Sequence, residues 1–139
     1  MILTDKEIMS KNLIEPFSEK QLTPNGYDVA CNDNIKIHPG KCKVIVSEET
    51  VSMPNNIVGE PWLKQKYARQ GIIASCSMID AGFNGTLALV LHNGGHKTIE
   101  IKKGAPVVQI VFIKLKSSVI KDYTKRSGNY QNQKETLIE

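Results

Sequence analysis

The chain has 139 residues, 40% hydrophobic and 23% charged, with a formal net charge of +4, which fits one domain with a packed core. No apolar run approaches the ~20 residues of a membrane span, and Asp5, Lys6, Glu7 and Lys11 break up the N-terminal segment where a signal core would lie, so the expected compartment is the cytoplasm and no membrane partner is expected. The mild positive surplus suits a small anionic ligand and is too weak to argue for a nucleic acid polymer.

Thr4 and Glu7 have capping-box spacing, so a short helix is predicted to about Asn12. Beyond it the chain reads as β. Short strands are predicted over Tyr27 to Cys31, Ile35 to His38 and Lys43 to Val46, each bounded by turn residues such as Asn32-Asp33-Asn34 and Pro39-Gly40. Ile57 to Leu63 and Ile72 to Cys76 follow. Thr86 to His92 alternates, with Leu87, Leu89 and Leu91 on one face and Ala88, Val90 and His92 on the other. Asn93-Gly94-Gly95 turns the chain into Thr98 to Ile101. Val107 to Leu115 is apolar on both faces, as a central strand would be. Many short strands between Gly and Pro turns indicate an all-β barrel or sandwich. Residues 1–116 are expected to form this β domain, and residues 117–139 a polar tail that orders only against something else.

The segment with most chemical content is Ile79-Asp80-Ala81-Gly82-Phe83-Asn84-Gly85. A carboxylate stands beside a turn with two glycines, which allow unusual backbone angles and close approach of a ligand. Asp80 is placed either to hold a sugar hydroxyl or orient a water, or to form an Asx turn with its own backbone. Lys64, Lys66 and Arg69 form a basic cluster that reads as a solvated face or as a phosphate contact. Cys31, Cys42 and Cys76 are odd in number and unpaired in spacing, which argues against a disulfide framework or a zinc site. His92 and His96 are four apart, but the Gly94-Gly95 turn between them spoils a helical metal pair. Ser75, Cys76 and Ser77 have no evident His and acid partners and read as pocket wall. The zinc-deaminase signature, the P-loop and the Rossmann fingerprint are absent.

Six blocks, in order, resemble the trimeric dUTPase and dCTP deaminase superfamily. Met1 to Ile8 is similar to the opening of the deaminase branch. Pro24-Asn25-Gly26-Tyr27-Asp28-Val29 resembles the first dUTPase motif, and Leu63 to Gly71 the second. Ile79 to Gly85 resembles the third motif and is the most specific match. Gly104 to Phe112 resembles the fourth, and Asn129 to Gln133 the tail of the deaminase branch. The resemblance spans nearly the whole chain. It implies an all-β distorted jelly-roll fold, a homotrimer, and active sites built between subunits.

The resemblance also implies roles, and the departures from it bear on the reaction. In the deaminase branch a Glu on the strand after the third motif shuttles protons; by position this is Val90. A valine cannot do so, and general acid–base help is worth about 10²–10⁴-fold. The Arg-Ser pair of the second motif is replaced by Lys64-Gln65, and the usual tail Lys by Asn129. Lys64 keeps the charge but loses the bidentate fork. Asp80 is retained. The expectation is therefore a dUTP diphosphatase, giving dUMP and pyrophosphate, with Asp80 orienting the attacking water. Mg²⁺ would ride on the triphosphate without direct protein ligands. Lys64, Arg69 and Gln109 would contact phosphates. Ile79 and Phe83 would pack at the nucleoside, with Phe83 against the sugar. Tyr130 and Gln133 would close over the nucleotide, and Asp28 would organise the pocket or serve a turn. The alternatives are a dCTP deaminase with an altered proton relay and a nucleotide-binding trimer without catalysis.

Overall fold

Residues 1–134 are described by the structure, a computed structural model. Its first element, α1 (Asp5–Ser10), starts where the capping box predicts. The Thr4 hydroxyl accepts from the Glu7 amide, and the Glu7 carboxylate accepts from the Thr4 amide. Ile8 is buried on the inner face of the helix. Leu3, just before it, is bonded by its amide to the Phe112 carbonyl at 2.8 Å, so the N-terminus is fixed on the core.

Among the described residues, ten strands follow the expected all-β plan. They are β1 (Ile14–Glu15), β2 (Leu22–Thr23), β3 (Gly26–Ala30), β4 (Ile35–Ile37), β5 (Cys42–Ser52), β6 (Ile57–Leu63), β7 (Ile72–Ser75), β8 (Asn84–Asn93), β9 (Ile99–Ile101) and β10 (Pro106–Lys114). One antiparallel sheet has the order β1-β5-β8-β7, a second β2-β3-β10-β6, and β4 pairs with β9. The arrangement is a distorted jelly roll. β10 lies between β3 and β6 and is largely buried, which its two apolar faces foretold. In β8, Leu87, Leu89 and Leu91 point into the core while Ala88 and Val90 face outward. Tyr27, Phe112, Ile45, Leu91 and Ile110 fill the core between the sheets.

Three features differ from the sequence expectation. β5 runs on to Ser52, well past Val46, because a bulge between Val46 and Thr50 keeps it paired with β8. The Ser47 hydroxyl accepts from the Leu87 amide and donates to the Glu49 carbonyl, and the bulge sends Glu49 inward. A short helix, α2 (Gln65–Ala68), lies between β6 and β7, where the sequence reading assigns no element. The C-terminal segment does not wait for an external surface. It forms α3 (Tyr123–Arg126) and then lies along the start of β8 in its own chain. No helix among the described residues is long and apolar enough to cross a membrane.

Candidate active site

The outward face of β8 forms the floor of a cavity of about 680 Å³. Val44, Ala88 and Val90 lie on this floor, the turn from Ser77 to Phe83 forms one wall, and the tail forms the other. Ile79, Asp80, Phe83, Tyr130 and Gln133 all line it, so the structure gathers five of the residues singled out in the sequence. Val90, the position where the deaminase branch carries an acid, also faces this space.

The third-motif turn is built by backbone bonds. Ile79 and Gly59 exchange hydrogen bonds at 2.7 and 2.9 Å, anchoring the turn to β6. The Phe83 amide donates to the Asp80 carbonyl at 3.1 Å and closes the turn. The Asp80 carboxylate is exposed and has no hydrogen-bond partner among the described residues. The Asx-turn alternative, in which this carboxylate bonds its own backbone, is not what the chain adopts. Asp80 is left available to a ligand or a water.

Phe83 is buried, and its ring meets that of Tyr123 edge to face, with centroids 5.3 Å apart. The glycines of the turn serve the tail. Gly82 has φ +91, and a Cβ there would stand 2.6 Å from the Asp122 Cβ. A Cβ on Gly85 would stand 2.9 Å from the Gln133 amide nitrogen. Close approach was expected of a ligand; it is made by the chain's own C-terminal segment.

That segment is bonded to β8 through both backbone and amide side chains. The Thr86 amide and hydroxyl both donate to the Gln133 carbonyl, at 2.8 and 2.9 Å. The Gln133 side chain donates back to the Thr86 carbonyl at 3.1 Å. The Gln131 side chain accepts from the Asn84 amide and donates to the Gly82 carbonyl. Gln133 is buried in consequence. The sequence reading missed Tyr123 and Ser127, which also line the cavity, and noted Asn129 only as a departure from the tail motif. One signal was present: Asp122 precedes Tyr123 and caps α3 by accepting from the Thr124 amide.

The remaining candidates lie elsewhere on the chain. Lys64 follows β6 and directs its ammonium to Asp28 of β3, 2.5 Å away. Arg69 caps the end of α2. Gln109 of β10 stands between Asp28 and Trp62 in the sheet register and donates to the Thr23 hydroxyl at 2.6 Å. None of these four lines the cavity of its own chain. Arg69 stands apart at the end of α2, while Lys64, Asp28 and Gln109 form a second polar group at the β2-β3-β10-β6 sheet. Glu49 is buried beside it, accepting from the Gln21 side chain at 2.6 Å and the Ala30 amide at 3.0 Å. Burial pushes the Glu49 carboxyl above its usual range, and these donors work against that rise. Cys76 is exposed and Cys31 buried, and neither is in a disulfide.

Comparison with known proteins agrees with this architecture. The family model described as dCTP deaminase-like matches residues 29–115. A Pyrococcus horikoshii protein named dCTP deaminase is 36% identical, over 94% of this chain and 92% of its own length. The crystal structure of 2'-deoxycytidine 5'-triphosphate deaminase from Agrobacterium tumefaciens superposes with a TM-score of 0.71 at 15% identity, covering 80% of this chain and 48% of that one. The EIAV dUTPase superposes with a TM-score of 0.61 at 22% identity, covering 79% of this chain and 89% of that one. At those identities the two structures speak for the fold. The family model and the archaeal relative carry the assignment: the chain belongs to the dCTP deaminase-like family of the dUTPase and dCTP deaminase superfamily.

Proposed function

We propose that the chain is an enzyme acting on a pyrimidine deoxynucleoside triphosphate, and that its reaction is deamination of dCTP. The observation that carries this reading is the match, over 94% of the chain, to a relative named dCTP deaminase. It favours deamination over the dUTP hydrolysis expected from the sequence. In the reaction, water adds to C4 of cytosine and ammonia leaves, giving dUTP. The base and sugar would lie in the cavity, with Phe83 against the sugar and the tail over the nucleotide. Asp80 is the one carboxylate on the cavity wall among the described residues. With Val90 on the floor, proton transfer falls to Asp80 or to a group from another copy of the chain.

The division of the candidates into two groups supports a homotrimer. Ile79, Asp80, Phe83, Tyr130 and Gln133 sit at the cavity, whereas Gln109 sits on the other sheet, Lys64 just past the end of β6 and Arg69 at the end of α2. In a site built between subunits, the second group of one copy would meet the triphosphate held at the cavity of the next. Trp62 on β6 is 56% exposed, a large apolar side chain suited to that contact. Among the described residues no three His, Cys, Asp or Glu side chains gather as a metal site. Mg²⁺ would be held by the triphosphate oxygens and would neutralise charge there.

A second reading, hydrolysis of dUTP to dUMP and pyrophosphate, is favoured by Val90 and Asp80 together. The floor lacks the acid that deamination uses, while Asp80 is free to orient a water. The test is product analysis of purified protein with Mg²⁺ and either dCTP or dUTP. Ammonia from dCTP supports the first reading. Pyrophosphate from dUTP without ammonia from dCTP replaces it with the second. Neither product, with nucleotide still bound, would leave a binding trimer without catalysis.

A further inference from the structure

Tyr123 occupies a position that neither the family motifs nor the reaction accounts for. Its amide donates to the Ala81 carbonyl at 2.8 Å, inside the third-motif turn. Its ring packs edge to face on Phe83. Its hydroxyl accepts from the Tyr130 amide at 2.8 Å. One side chain thus touches both the aromatic wall of the cavity and the backbone of the tail that covers it. The tail beyond Tyr130 then continues to Gln131 and Gln133, which bond Gly82, Asn84 and Thr86.

We propose that Tyr123 is a positioning residue that ties the Phe83 wall to the closed tail. Two consequences separate by atom. The ring holds Phe83 against the place of the sugar, so it governs discrimination between deoxyribose and ribose. The hydroxyl holds Tyr130, so it governs how firmly the tail stays down. The proposal rests on the cavity being the nucleotide site, as argued above, only for the first consequence.

Two variants test it. Tyr123→Phe removes one oxygen and keeps the ring; Tyr123→Ala removes both. Limited trypsin digestion of the nucleotide-free protein reads the tail, because Lys125, Arg126 and Lys134 lie within it. One hydrogen bond of ordinary worth corresponds to about three- to tenfold faster cleavage at these sites in Tyr123→Phe. The thermal midpoint should stay near wild type, since only the hydroxyl is lost. Turnover with dCTP and CTP reads the wall: Tyr123→Phe should raise KM with little change in kcat and keep the deoxy preference, and Tyr123→Ala should lose most of that preference. Unchanged cleavage in both variants would overturn the tie to the tail. Faster cleavage with an unchanged deoxy preference in Tyr123→Ala would overturn the role at the wall. If wild type processes neither nucleotide, deamination fails and dUTP against UTP reads the wall in their place; turnover of none of the four overturns the role at the wall, and the digestion still decides whether Tyr123 holds the tail.

Discussion

Lys64 and Asp28 form an ion pair, Nζ to Oδ2 at 2.5 Å, that joins the end of β6 to the middle of β3. Asp28 is mostly buried, and its other oxygen, Oδ1, has no partner among the described residues. The lysine is one-third exposed, so its charge is only partly removed from water. Removing the lysine alone leaves a buried carboxylate without a partner. Lys64→Met should therefore destabilise the protein by about 1–3 kcal/mol. Adding Asp28→Asn should recover part of that loss. A urea double-mutant cycle measures the coupling; additive losses would show that the pair is only a surface contact.

The buried Glu49 makes stability depend on pH. Its folded pKa is raised above the ordinary 4.5, chiefly by burial. The folded state therefore holds its proton at pH values where the unfolded chain has lost it. Stability is fully present below about 4.5 and falls as pH rises toward the raised value, then levels. Glu49→Gln should flatten this slope, at the cost of one acceptor for Gln21 or Ala30. Urea midpoints between acid and neutral pH test it. Identical slopes in both proteins would assign the dependence to other groups.

Gly85 leaves room for the tail at Gln133. Gly85→Ala should lift the segment from β8 and free the Thr86 amide, now bonded to Gln133 at 2.8 Å. Exchange of that amide should accelerate about tenfold or more, while amides of the β10 core stay protected. An unchanged Thr86 exchange rate would mean the tail holds through other contacts.

Most of the sheet architecture was legible because it follows from alternation and turns. Ile57 to Leu63 matches β6, and the inward leucines of β8 lie as their spacing requires. β5 was cut short because Ser47, Glu48 and Glu49 read as polar, whereas a bulge is what buries Glu49. The two-residue strands β1 and β2 are too short to carry a period. The tail was hidden for a different reason. Its glutamines lack apolar surface, yet their amides satisfy the backbone of Gly82, Asn84 and Thr86. Asp80, Phe83 and the tail were identified by local motif, and the cavity unites them. That Lys64 and Gln109 face another part of the molecule depends on the sheet order, which no local pattern reveals.

Asp80 is exposed and its carboxylate unpartnered among the described residues, so its removal costs the fold little. Asp80→Asn should shift stability by no more than about 0.5 kcal/mol. Nucleotide turnover should fall by about 10²-fold or more, whichever product forms. Steady-state assays beside a thermal melt check both halves. Near wild-type turnover would make Asp80 a turn residue without a chemical role.

The central claim is that the nucleotide lies in the cavity between the Asp80 turn, the outer face of β8 and the tail. A crystal structure of the protein with dCTP and Mg²⁺ tests it most directly. The account predicts the sugar against Phe83, the base over the floor near Val90, and the triphosphate reaching Lys64, Arg69 and Gln109 of a neighbouring copy. Nucleotide bound outside that cavity, or held by one chain alone, would contradict it.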